Sequence, residues 1–98
     1  MIRVLLPAHL KVLANVVGEF EIDPSEGSSI SAVIEAVERR FPALRGTILR
    51  YGSRDRRPMV RFFACNTDLS HEDPQSPLPT AVIDGEEPLL IVGAIAGG

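Results

Sequence analysis

Leu89-Leu90-Ile91-Val92-Gly93-Ala94-Ile95-Ala96-Gly97-Gly98 is the stretch that decides the fold. From Leu89 to Ile95 no polar side chain interrupts the run. A strand that is apolar on both sides belongs in the middle of a sheet, with both faces covered. The expectation is therefore a central strand, with a helix on one face and loops or a partner on the other. Asp84-Gly85 just before it is a turn signal.

Working outward, Asn66 to Pro79 reads as loop, with prolines at 74, 77 and 79. Met59 to Cys65 reads as a strand with Val60, Phe62 and Ala64 on one face and Arg61 on the other. Gly52 to Pro58 is a polar loop. Ser29 is positioned as a helix N-cap. Ile30, Val33, Ile34, Val37 and Phe41 then form one apolar stripe, with Ser31, Glu35, Glu38 and Arg39 opposite it. Pro42 disfavours helical geometry at Phe41, which predicts a helix over about 30–40. Two strands precede it: Ile2–Leu6, ended by Pro7, and 16–22, where Phe20 and Ile22 alternate with Glu19 and Glu21. Pro7 to Asn15 is a connection longer than a tight turn. The order strand, strand, helix, strand, strand predicts an α+β domain over 1–98, a mixed sheet of four to five strands with the helix packed on one face. A last strand beside the first could run parallel to it.

The 98 residues amount to one domain's worth of sequence. Ten basic and 13 acidic residues give a net charge of −3, which argues against a dedicated nucleic-acid binder. That charge divides into +3 over residues 1–61 and −6 over 62–98, where no Lys or Arg occurs. The acidic third therefore adjoins the closing glycines in sequence and suits a basic partner surface. One cysteine excludes an intrachain disulfide. No apolar run reaches the ~20 residues of a membrane span, and Met1-Ile-Arg-Val-Leu-Leu-Pro is too short for a secretion signal. A cytoplasmic protein without membrane or nucleic-acid partners is the expectation.

This layout, with Ala94-Ile95-Ala96-Gly97-Gly98 closing it, resembles the ubiquitin-like sulfur-carrier family of MoaD/ThiS type, whose fold is the β-grasp. The likeness is carried by Ser29–Leu44 with its Phe41-Pro42-Ala43-Leu44 ending, by Ala64-Cys65-Asn66, by Asp84-Gly85-Glu86 and by the tail. The chain departs from the pattern at Gly93, where many members carry proline, and at Glu86, where aspartate is usual. The resemblance implies a carrier rather than an enzyme, or the small subunit of a synthase. Gly98 would supply the reacting carboxylate. An E1-like partner would adenylate it with Mg·ATP and convert it to a thiocarboxylate. A sulfur-accepting synthase in molybdopterin or cysteine formation would consume the sulfur. No cofactor would be held tightly and no metal bound.

Without Cβ atoms, Gly97 and Gly98 can enter a narrow channel, and Ala94 and Ala96 keep the approach slim. Ile95, Phe63 and Leu10 are candidates for partner docking, with Leu5 and Met59 beside them. Cys65 ends an apolar strand and is expected as a buried, inert thiol. His71-Glu72-Asp73 lacks a second ligand set, and His9 stands alone. Two other functions fit the residues. One is a protein modifier joined to other proteins through Gly98. The other is a binding module using the Arg50–Arg61 basic loop, with Arg54, Arg56 and Arg57 and the stacking candidates Tyr51, Phe62 and Phe63.

Overall fold

A computed structural model describes residues 1–50 and 55–93. Among these, the strands are β1 (Ile2–Leu5), β2 (Phe20–Ile22), β3 (Val60–Ala64), β4 (Thr67–Asp68) and β5 (Leu89–Gly93). The helices are α1 (Ala8–Ala14), α2 (Ile30–Arg40) and α3 (Thr80–Ile83), with 3-10 turns at Pro24–Glu26 and Pro42–Leu44. The strands form one mixed sheet in the order β2-β1-β5-β3-β4. β5 is central, as its apolar run predicts. It lies parallel to β1 (Val4 beside Leu89, Leu5 beside Leu90) and antiparallel to β3 (Val60 beside Gly93, Phe62 beside Ile91). The α+β, ubiquitin-like β-grasp architecture expected from the sequence is the one observed.

α2 covers one sheet face. Ser29 caps it, its Oγ accepting from the Ala32 amide at 3.1 Å, and the helix stops before Pro42. Ile30, Val33, Ile34 and Val37 pack in one core with Ile2, Val4, Phe20, Ile22, Val60, Phe62, Ala64, Leu89 and Ile91. These are the alternate residues of each strand, so the pleat sends them all the same way. The buried arc of α2 is wider than its stripe. Ala36 and Glu38, on its two flanks, are also buried, which corrects the solvent-facing placement of Glu38. The Pro42–Leu44 turn folds back against α2 and brings Leu44 into the core.

Three local readings change. The connection from Pro7 to Asn15 holds α1: Pro7 O accepts from the Leu10 and Lys11 amides, and Asn15 closes the helix in the left-handed region at φ 57°. Strand pairing in the second segment is confined to Phe20–Ile22. The loop after β3 begins with a tight hairpin, since Ala64 pairs with Thr67 around Cys65 (φ 53°) and Asn66 (φ 61°). Two successive positive φ values are those of a type I′ turn, the turn whose twist matches antiparallel strands. Cys65 is consequently exposed rather than buried.

At the start of β5, Gly85 takes φ 83° against the Met1 carbonyl, a conformation and a proximity that exclude a side chain. Arg3 ties this turn to β1, donating from Nε to Gly85 O (2.9 Å) and from Nη2 to Glu86 O (3.0 Å), while Nη1 pairs with Glu19 at 3.1 Å. The register and direction of the strand leading to the tail are thereby fixed.

Candidate functional site

The expected reacting residues Gly97 and Gly98, and the approach residues Ala94, Ile95 and Ala96, lie outside the described residues, as do Tyr51 and Arg54 of the basic loop. The structure does define the platform from which the tail departs. β5 delivers Gly93 at the end of the sheet where β1 finishes and β3 begins.

The second face of the sheet answers what covers the other side of an apolar strand. Leu89 and Ile91 point into the core, whereas Leu90 is half-buried and Val92 is 42% exposed. Leu5, Leu90 and Phe63 form one cross-strand row on this face, because Leu5 registers with Leu90 and Leu90 with Phe63. Leu5, Pro7, Leu90, Val92 and Gly93 line a shallow groove of about 240 Å³ that reaches Gly93, the last described residue. Phe63 is thus placed on the expected docking face, half-buried. Leu10 is not. It is 3% exposed in the core, because α1 turns that side chain inward, so it is unavailable for docking in this state. Met59, just before β3, is exposed beside the tail end of the sheet.

Sequence reading found no role for His9, but it sits against the base of the tail. A Cβ added to Gly93 would lie 2.8 Å from His9 Cε1 and 3.6 Å from Pro7 Cγ. Only a residue without a side chain lets the imidazole rest there, which accounts for glycine at this position. The clash is with the movable end of a side chain, so it is correctable. Gly93→Val is expected to destabilise by about 1–3 kcal/mol through overpacking. His9→Ala should restore much of that loss, a non-additivity measurable by denaturant titration of the two single variants and the double variant.

Arg61 shares the open face, opposite Val92. Its Nη1 lies 3.2 Å from His71 Nε2 and 3.6 Å from Asp68 Oδ2. Asp68 also accepts from the Ser70 amide at 2.8 Å. Hydrogen bonds from the Ser70 side chain and amide, with a smaller contribution from Arg61, hold the Asp68 carboxyl below its ordinary value of 3.8. A carboxylate with a lowered folded-state pKa stabilises the fold above the unfolded value and loses that contribution as pH falls through the folded one. An NMR titration should therefore find Asp68 ionised at pH values where a free aspartate is already protonated, and Ser70→Ala should move its midpoint upward.

The acidic third is divided in space: Asp68 lies 3.6 Å from Arg61, which stands opposite Val92 near the Gly93 end of β5. Asp84, Glu86 and Glu87 precede Leu89, and β5 then runs away from them. Among the described residues no cluster of three or more His, Cys, Asp or Glu side chains is placed to hold a metal ion, and no helix is long and apolar enough to cross a membrane.

No protein-family model and no curated protein sequence matches this chain. Solved structures do. A chain of the BexX/CysO complex of Amycolatopsis orientalis is similar over 100% of both chains, with a TM-score of 0.76 and 18% identity. The small archaeal modifier protein SAMP1 of Methanosarcina acetivorans aligns over 98% of this chain and 94% of its own, with a TM-score of 0.72 and 18% identity. SAMP1 of Haloferax volcanii aligns over 98% and 97%, with a TM-score of 0.68 and 13% identity. At these identities the likeness establishes the shared fold.

Proposed function

We propose that this chain is a ubiquitin-like sulfur carrier whose working group is the α-carboxylate of Gly98. The observation that carries the proposal is the construction of β5. A central strand, apolar on both sides, keeps one side open as a groove and leads directly into Ala94-Ile95-Ala96-Gly97-Gly98. The neighbours in the BexX/CysO complex and SAMP1, matched over nearly their whole length, support the same reading.

A carboxylate is a poor acyl donor, because its charge repels nucleophiles and oxide is a bad leaving group. In the proposed cycle an activating partner lets a Gly98 carboxylate oxygen attack the α-phosphorus of Mg·ATP. Pyrophosphate leaves and an acyl-adenylate forms. The terminal sulfur of a persulfide on the partner then attacks the carbonyl and expels AMP, giving an acyl disulfide. A thiol cleaves the S–S bond, forms a disulfide with the partner's sulfur and leaves the thiocarboxylate on Gly98. This chain supplies the slim tail and the docking face, and the partner supplies nucleotide, magnesium and sulfur. A synthase of cofactor or cysteine formation then accepts the sulfur.

ATP–pyrophosphate exchange by the candidate activating enzyme tests the first step. Exchange should require this chain and vanish when Gly98 is removed; exchange that persists without Gly98 contradicts the proposal. The SAMP1 neighbours favour a second reading, conjugation of Gly98 to lysines of other proteins. It shares the activation step and predicts Gly-Gly remnants on cellular lysines.

A further inference from the structure

β5 loses its two neighbours unequally toward the tail. On the β3 side Gly93 still pairs with Val60. On the β1 side the parallel ladder stops earlier, at Leu5 beside Leu90. There the chain has left β1 through Pro7 and entered α1, and two side chains of that turn take the strand's place. His9 Cε1 lies 2.8 Å, His9 Nε2 3.5 Å and Pro7 Cγ 3.6 Å from the position that a Gly93 Cβ would occupy. The edge of the imidazole fills the space of the side chain that Gly93 lacks.

The ring is held in that place by its helix. Leu10 anchors α1 in the core at 3% exposed, and Pro7 O accepts from the Leu10 and Lys11 amides at 3.0 Å. Side chains on a helix lean toward its N-terminus, which directs His9 back toward Pro7 and Gly93. His9 itself is exposed, so the contact adds little burial. What it adds is restraint. Glycine has the freest backbone of any residue and weakens a strand. As the last residue of β5, it would let the chain leave the sheet in many directions. A ring against its α-carbon removes those that turn toward α1.

We infer that His9 is a positioning residue: its imidazole restricts the backbone of Gly93, so that the chain departs on the side away from α1, pre-oriented for the channel that receives Gly97 and Gly98. This rests on the carrier reading above. The contact works through bulk rather than proton transfer, because the atom nearest the Gly93 side-chain position is a ring carbon, Cε1. It also belongs to binding rather than to chemistry. Pre-orientation reduces the ordering cost of association, whereas a tail already in the channel has its carboxylate placed by the partner.

The test is KM and kcat for this chain in ATP–pyrophosphate exchange with the activating enzyme of the same genome. His9→Ala should raise KM about 5–10-fold, the scale of freeing one residue's backbone. Its kcat should stay within about twofold, the pattern of a lost binding contribution. Its unfolding midpoint in denaturant should barely move, as for other exposed positions. His9→Phe returns a planar ring without an ionisable group and should bring KM back to within about twofold of the wild type. The double variant His9→Ala with Gly93→Ala puts the residue's own Cβ where the ring was. It should recover most of the lost KM, which replacement of a direct partner contact would not do. Wild-type KM in His9→Ala overturns the positioning role and leaves the carrier reading standing. So does a raised KM that neither His9→Phe nor the double variant recovers, since His9 would then touch the partner itself. A fall in kcat at unchanged KM would assign His9 to the chemistry and equally overturn positioning. An absence of exchange with the wild-type chain overturns the carrier reading, and the role of His9 with it.

Discussion

Deleting Gly98 is expected to abolish ATP-dependent activation while leaving the unfolding transition where it is. Each residue of extended chain spans roughly 3.5 Å, so removing one withdraws the carboxylate from the nucleotide by about that distance. A misplacement of even about 1 Å between reacting atoms can cost 100-fold in rate, and this one exceeds it severalfold. Gly97→Val is expected to act comparably for a different reason. It keeps the length but adds a branched side chain where a narrow channel requires a backbone without Cβ. Among the described residues the core ends at Ile91, and both changes lie beyond it in sequence. Exchange kinetics and a denaturant titration on the same preparations separate the two effects. Loss of stability in either variant would show that the tail belongs to the fold rather than to the reaction.

The second large effect separates the two faces of β5. Ile91 is 2% exposed and packs in the α2-covered core, so Ile91→Ala is expected to cost about 2–5 kcal/mol through lost burial and the cavity left behind. Val92, the next residue, faces the open side at 42% exposed, and Val92→Ser should change stability by only about 0.5 kcal/mol. Productive docking should respond in the reverse sense. Val92→Ser raises KM for the activating partner, whereas Ile91→Ala, assayed where it remains folded, leaves KM near the wild-type value. Equal destabilisation by both substitutions would mean that this side of the strand is filled from within the chain.

That contrast also explains what the sequence could convey. The run from Leu89 to Gly93 has no alternation, and it locates the strand at the centre of the sheet because both its neighbours and both its faces impose apolar residues. It cannot say that one of those faces is left open by the chain itself, since an intramolecular cover and a partner impose the same composition. α2 was legible because Ile30, Val33, Ile34 and Val37 repeat with the helical period and Ser29 and Pro42 mark its limits. Its width was not, because the burial of Ala36 and Glu38 depends on segments that pack against its flanks. α1 was hidden by its length of seven residues, too short for a period to emerge, and by Leu13 and Val12, which remain exposed. The inward turn of Leu10 followed from that missed helix.

Cys65 had a readable signal. The alternation that buries Val60, Phe62 and Ala64 assigns position 65 to the other parity, and Asn66 after it is a turn residue. The contact of His9 with Gly93 had none, because the two meet only through the parallel pairing of β1 with β5. Charge misled for a related reason. Asp84, Glu86 and Glu87, close to the tail in sequence, stand at the end of β5 opposite Gly93, whereas Asp68 and Arg61 are brought together near Val92 by the pairing of β3 with β4 and β5.

The most direct measurement is the intact mass of the chain after incubation with Mg·ATP, its activating enzyme and a sulfur donor. The account predicts a product in which one oxygen is exchanged for sulfur, localised by fragmentation to Gly98 and absent when ATP is withheld. An unchanged mass under conditions where the same enzyme catalyses pyrophosphate exchange on this chain would contradict it.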